Sequence, residues 1–450
     1  MTQLKVALSL TDATLLVIGS VIGSGIFLTS GIIAAQLPSA EWILFAWVLG
    51  SLLSLSGGLT LAELGAMMPE AGGQYIYLRE AYGPLAGFLY GWLTFLVTQT
   101  GGIAALAIGF AEYLSLFLPY LSLDHIAIES AFLDISFGQF AAVGGILFFT
   151  FINYFGIRSG SFVQNFFTIL KVAAIIVLIL FGFIVSISPG VTTSVNQLEV
   201  PAGLDLIAAL GVALIAVLWT FDGWYSVNSV ASEIKNPQKN LPYSLIIGIA
   251  VIGIIYILIN LFYIRALPIS EMAGVVRIGE NATSSVFGPA AGAAMSGLIL
   301  ISILGCLSAT VLFGPRIFYA MAKDKLFFKQ FAFVEPNYKT PTKSIIWQGV
   351  WSALLCLTGG YEALFTYVIF TSLLFYIASA FGVFVLRKKR PEAHRPYRVW
   401  GYPFVPFFFG LAMILIAVNS LIEKPLESIL GLVILVIGIP VYFYWKRDDK

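Results

Sequence analysis

The chain has 450 residues, of which 59% are hydrophobic and only 10% charged, against roughly a quarter charged in a soluble domain. Its net charge of +1 says nothing about partners, and lipid is the expected solvent for most of the molecule. The two cysteines, Cys306 and Cys356, both fall in apolar runs, which argues against a disulfide framework.

Apolar stretches of about 20 residues suffice to cross a hydrocarbon core as a helix. About twelve recur along the chain, near 12–36, 42–66, 84–117, 138–157, 163–187, 204–233, 242–265, 288–322, 343–358, 361–387, 402–422 and 425–446. The first is long and carries no small-residue cleavage site after a basic start, so it is expected to remain as a span. Gly23-Ser24-Gly25 interrupts it. A membrane helix that gives up its own hydrogen bonds at mid-depth must offer those groups to something else. Glycine leaves the amides of Ser24 and Gly25 approachable, and the half-helix that follows opens with an N-terminus suited to a carboxylate. The same residues also fit close helix packing, because Gly19 and Gly23 are four apart.

Between the second and third stretches, Met67–Gly83 holds Pro69, Gly72 and Gly73 among polar residues, which predicts a short amphipathic helix lying against the membrane. Lys171 is the one basic residue inside an apolar run, roughly 8 residues or about 12 Å into the fifth stretch. An intramembrane lysine is a functional candidate; the alternative is snorkelling to the interface. Tyr256, in the seventh stretch, is a candidate polar partner for it.

Phe221-Asp222-Gly223 interrupts the sixth stretch. Carbonyls near Trp219, Phe221 and Asp222 would end the first half-helix with partial negative charge, suited to an ammonium group. The Asp222 carboxylate either adds a full charge there or caps the second half-helix. Of the aromatic residues Trp219, Phe221 and Trp224 around the break, two are expected to be structural, and Asn153, Asn260 and Ser308 read as interhelical hydrogen-bonders. His125 and His394 lie in loops, so nothing resembles a metal site, and neither a catalytic triad nor a phosphate-binding loop is present. Two interrupted helices, one at the start of each half, point to a secondary transporter whose solute lies between them. An α-amino acid would be held there by its two charges.

With both termini placed inside, the loops on that side collect Arg79, Lys235, Lys323 and the run Arg387–Arg390 among others, while the opposite side has Arg265, Arg277 and Lys424. That bias predicts cytoplasmic N- and C-termini.

Several local patterns carry a family resemblance: Ile22-Gly-Ser-Gly-Ile-Phe27, Ala62-Glu-Leu-Gly65 followed by Gly72-Gly73-Gln-Tyr75, Trp219-Thr-Phe-Asp-Gly-Trp224, and Asn236-Pro237 before Leu241-Pro242. From about Leu8 to Tyr402 the chain resembles the L-type amino acid transporter family of the amino acid–polyamine–organocation superfamily, and bacterial serine/threonine-type exchangers most. The resemblance implies an all-α polytopic fold of two inverted five-helix repeats, about 11–190 and 203–390, plus two extra helices at about 400–446, in one transmembrane unit. It maps carboxylate-binding backbone to Ser24 and Gly25 and ammonium-binding carbonyls to Val21, Trp219 and Asp222, with Gly23, Phe221 and Gly223 completing the two breaks. It also assigns Lys171 the place that a sodium ion takes in sodium-coupled relatives, and it places a helix 7 tyrosine at Tyr256.

The expected activity is sodium-independent exchange of small or medium neutral amino acids such as Ser, Thr and Ala across the plasma membrane, by alternating access. A proton-coupled symporter titrating Lys171, or a sensor or channel on the same scaffold, are the alternatives. Many relatives have Phe or Tyr where this chain has Trp219, which bears on pocket size. Eukaryotic members link a heavy subunit through an outer-loop cysteine; Leu118–Phe137 has none, so no covalent partner is expected, and no cofactor.

Overall fold

Ser9 starts the first helix: its hydroxyl accepts from the Asp12 amide at 3.2 Å, and the Asp12 carboxylate accepts from the Ser9 amide at 2.9 Å, a reciprocal cap. In the computed structural model, which describes residues 4–129, 134–185, 200–358 and 361–447, that helix is half of a broken span. Leu10–Val21 (span 1a) and Gly25–Gln36 (span 1b) are bent by 44° at Ile22-Gly23-Ser24.

Among the described residues ten further helices are long and apolar enough to cross a membrane. They are span 2 (Ala40–Met67), span 3 (Pro84–Leu114), span 4 (Phe137–Tyr154), span 5 (Ile157–Ile184) and span 6 (Gly203–Glu233). Span 7 (Pro237–Ala266), span 8 (Pro289–Lys323), span 10 (Tyr361–Lys389), span 11 (Phe404–Glu423) and span 12 (Pro425–Arg447) follow. The ninth, Thr342–Cys356, has only 15 residues, fewer than a crossing needs, and packs along spans 3, 4 and 8. The protein is a polytopic, all-α membrane protein.

Spans 1, 3, 6 and 8 occupy the middle. Span 3 is 78% buried within the bundle and span 12 only 22%, so the latter faces lipid. Span 1a packs on spans 5, 7 and 8, span 1b on the first half of span 6, and span 7 lies along span 2.

Span 6 changes winding at its break. Gly203–Phe221 (span 6a) is α-helical, Asp222 is extended, Gly223 takes the left-handed region at φ +102°, and Trp224–Glu233 (span 6b) is a 3₁₀ helix. So long a 3₁₀ run is uncommon. Its Ser- and Asn-rich sequence favours the tighter turn, because Asn228 Nδ2 donates back to the Tyr225 carbonyl at 2.8 Å and Ser229 Oγ to Ser226 at 2.7 Å. The chain before span 1a is strapped to its end: the Ala7 and Leu8 amides donate to the Glu233 carbonyl at 2.9 and 3.0 Å, and Lys235 N–H donates to Leu8 at 2.8 Å.

The segment expected against the membrane does form a short helix, Gln74–Tyr82, but it is not a surface helix. Gln74, Tyr75, Tyr77 and Leu78 are buried, and the helix docks under spans 8 and 10. Gly72 and Gly73 permit this, at φ +110° and +50°; a Cβ on Gly73 would lie 2.8 Å from the Asn228 backbone. Glu63 is an anchor: Arg387 grips it with two hydrogen bonds of 2.9 and 2.7 Å, and the Val399 amide donates to it at 2.8 Å. In the 118–137 loop, Ile126–Ile128 and Ile135–Ser136 form a small antiparallel pair that sequence reasoning did not indicate.

Candidate functional site

The two breaks meet. The Ser20 hydroxyl donates to the Gly223 carbonyl at 3.2 Å, and a Cβ on Gly223 would come within 3.0 Å of the Ser20 carbonyl, so the left-handed glycine is what lets the breaks touch. Between them lies a cavity of about 40 Å³, room for about three waters. Span 1 contributes Val21, Gly23, Ser24 and Gly25 to its wall; span 6 contributes Trp219, Asp222 and Gly223. Of the break residues singled out from the sequence, Phe221 and Trp224 do not line it. The Phe221 ring is fully buried against Tyr256, centroids 4.9 Å apart, and Trp47 at 6.5 Å. It is absent from the cavity wall, so it is a packing residue. Trp224 is also structural, stacked on Tyr376 at 5.7 Å.

Sequence reasoning missed the other two walls. Span 3 contributes Thr98, Gln99 and Leu106, and span 8 contributes Cys306 and Thr310. Gln99 Nε2 donates to the Thr310 carbonyl at 2.5 Å, tying these walls together. A π-helical turn at Thr94–Thr98 aims that part of span 3; such turns gather at functional sites, but nothing in its residue types announces one.

The carbonyls released by the breaks have side-chain partners. Lys171 is buried rather than snorkelling: its ammonium donates to the Gly19 carbonyl at 2.8 Å and to that of Ile22. Tyr256 does not hydrogen-bond to Lys171. Its hydroxyl lies 3.1 Å from the Val21 carbonyl and 3.0 Å from that of Thr220, one proton shared between the ends of spans 1a and 6a. Ser302 Oγ donates to Ile22 at 3.3 Å, and Cys306 Sγ to Ser20 at 2.9 Å. The Trp219 carbonyl accepts the Asp222 amide at 3.0 Å.

Two readings change. Gly223, not Asp222, stands in the capping position of span 6b, and the Asp222 carboxylate instead accepts from the Tyr376 hydroxyl of span 10 at 2.8 Å, at the cavity wall. Gly19 and Gly23 do not form one shared packing stripe: a Cβ on Gly19 would strike Gln164 and Thr168 of span 5, and one on Gly23 would meet Cys306 of span 8. Gly25 has a packing role beside its place in the wall, since a Cβ there would lie 2.9 Å from Thr220 Oγ1. Asn260 behaves as expected, accepting from Ser30 Oγ at 2.8 Å.

A helix N-terminus, carbonyl-bearing helix ends and one carboxylate thus surround a space of amino-acid dimensions or less. Comparison with known proteins agrees with that chemistry. The family model described as amino acid permease matches residues 8–441. The serine/threonine exchanger SteT of Bacillus subtilis is 33% identical over 99% of this chain and 98% of its own length. The mouse b(0,+)-type amino acid transporter 1 is 28% identical over 99% of this chain and 89% of its own. The human large neutral amino acids transporter small subunit 2 is 28% identical over 99% and 82%. The chain therefore belongs to the amino acid permease family, in its L-type amino acid transporter branch, whose members are membrane transporters and not enzymes.

Proposed function

We propose that the protein is a sodium-independent exchanger of small or medium neutral amino acids, such as Ser, Thr and Ala, that works by alternating access in the plasma membrane with both termini cytoplasmic. The observation that carries this reading is the position of Lys171. Its ammonium donates to two span 1 carbonyls at the break, Gly19 and Ile22, so a fixed cation holds the backbone that a coupling ion would otherwise hold. A cation that cannot dissociate stores no gradient, which suits exchange.

In this reading the opening turn of span 1b, at Ser24 and Gly25, takes the substrate carboxylate. The carbonyl ends at Val21, Trp219 and Asp222 take the ammonium, with Gly23 and Gly223 keeping the backbone within reach. The side chain then faces Gln99, Cys306 and Thr310, and the cavity of about 40 Å³ under Trp219 favours the smallest ones. Two halves of five spans, about 11–190 and 203–390, would enter the membrane from opposite sides because five is odd, with spans 11 and 12 appended.

Purified protein in liposomes tests this. Labelled serine, threonine or alanine is expected to enter only when unlabelled amino acid is inside, and equally well in sodium or choline. Entry into empty liposomes driven by a pH gradient would replace the exchanger with a proton-coupled symporter. Non-saturating current would indicate a channel.

A further inference from the structure

The central cavity is not the only concavity among the described residues. A second one of about 350 Å³ lies where span 8 ends, walled by Val6, Glu70, Arg79, Ala320, Lys323 and Asp324. That is within the size range of small-molecule sites and far larger than the space between the breaks. Its charges come in two kinds. Arg79 and Asp324 pair with each other, and the Tyr75 hydroxyl donates to Asp324 at 2.7 Å. The Lys323 ammonium and the Glu70 carboxylate have no hydrogen-bond or ion-pair partner among the described residues. One open cation and one open anion therefore face a single concavity with apolar walls. The Ser232 hydroxyl in the same wall is buried without a hydrogen-bond partner, an unmet polar group.

Span 6b contributes residues to both cavities. Tyr225 and Ser226 of span 6b line the central one and Ser232 the larger one. Six residues of 3₁₀ helix separate Ser226 from Ser232, about 12 Å.

We propose that this cavity is a second, weaker binding site for zwitterionic amino acids, loading the exchanger from the cytoplasm. Lys323 takes the carboxylate, and Glu70 takes the ammonium. The site rests on the exchanger reading, because only an exchanger needs cytoplasmic amino acid to complete its cycle. Exposed charges are ordinarily just solvated, and what sets these two apart is opposite sign across one cavity of the right volume.

Membrane vesicles of both orientations, preloaded with unlabelled serine, test the proposal through the concentration dependence of labelled serine uptake. Inside-out vesicles present the cytoplasmic face. There Lys323→Gln and Glu70→Gln are expected to raise the half-saturating concentration roughly two- to fivefold, the worth of one partly exposed charge contact. Right-side-out vesicles should show wild-type values, which also reports correct folding. The swapped double variant, Lys323→Glu with Glu70→Lys, should lie closer to wild type than either reversal alone. Unchanged half-saturation in inside-out vesicles, or equal shifts in both orientations, would overturn the site. If wild-type vesicles do not exchange at all, the exchanger reading fails and this site falls with it.

Discussion

Replacing Tyr256 by Phe removes one oxygen and leaves the ring. The ring contacts to Phe221 at 4.9 Å and Trp47 at 5.6 Å stay, so no cavity is made. What is lost is the single proton shared between the Val21 and Thr220 carbonyls. At 3.1 and 3.0 Å both contacts are long for a hydroxyl donor, as expected of a three-centre bond. Leaving buried carbonyls without that donor costs about 1–3 kcal/mol. Because the bond joins the ends of spans 1a and 6a, the cost falls on the arrangement that holds the two breaks together. A loss of that size in one conformational state shifts its population roughly 5- to 150-fold. Serine exchange by Tyr256→Phe in liposomes should therefore drop about tenfold or more, while the melting temperature of the purified protein falls only a few degrees. Wild-type exchange by this variant at unchanged half-saturation would refute the idea that the shared proton couples the two breaks.

Lys171→Met should depress exchange at least about tenfold, since it withdraws charged donors from Gly19 and Ile22, and wild-type uptake should be the same in sodium and choline; normal exchange by the variant would return Lys171 to a packing role. Asp222→Asn keeps an acceptor for Tyr376 but removes the charge at the cavity wall, so competition by lysine for serine uptake should weaken while serine uptake itself persists; undiminished competition would mean the carboxylate does not face the solute. Gly25→Ala should cost about 1–3 kcal/mol of stability by driving a Cβ into Thr220, read as a lower melting temperature, and an unaltered melting temperature would show that the contact yields. Gly223→Ala should be harsher still, because its φ of +102° and its 3.0 Å approach to the Ser20 carbonyl are both lost to an L side chain; full exchange by this variant would contradict the requirement for that turn.

The breaks are legible in the sequence because glycine inside an apolar run is a local signal, readable without knowing the neighbours. Lys171 is legible for the same reason, being a charge where none is expected. The partners are not legible. Nothing in the residue types around Tyr256 shows that its hydroxyl reaches Val21 and Thr220, or that Asp222 is held by Tyr376, because both depend on how spans rotate against one another. Gln99, Cys306 and Thr310 escaped notice since polar residues are common in membrane helices and only the packed bundle shows which of them face the space between the breaks. The helix at Gln74–Tyr82 looked amphipathic against lipid, but its apolar face is covered by protein. Phe221 sits in the interrupted motif while its ring points away, a reminder that a break is made by backbone and says little about its side chains.

The strap between the N-terminal segment and the end of span 6b has a mechanical consequence. Spans 1a and 6b are fastened to each other at both ends, through Ser20 and Gly223 at the break and through Ala7, Leu8 and Glu233 at the far end. Residues more than 200 positions apart thus form the two rails of one ladder. A displacement of either rail must carry the other, so the pair behaves as one rigid leaf. Span 8 is fastened to the same end, where Arg316 holds Glu233 at 2.9 Å in a fully buried ion pair. A pair that is costly to separate in such surroundings ties the far end of span 6b, and with it the strapped N-terminal segment, to span 8.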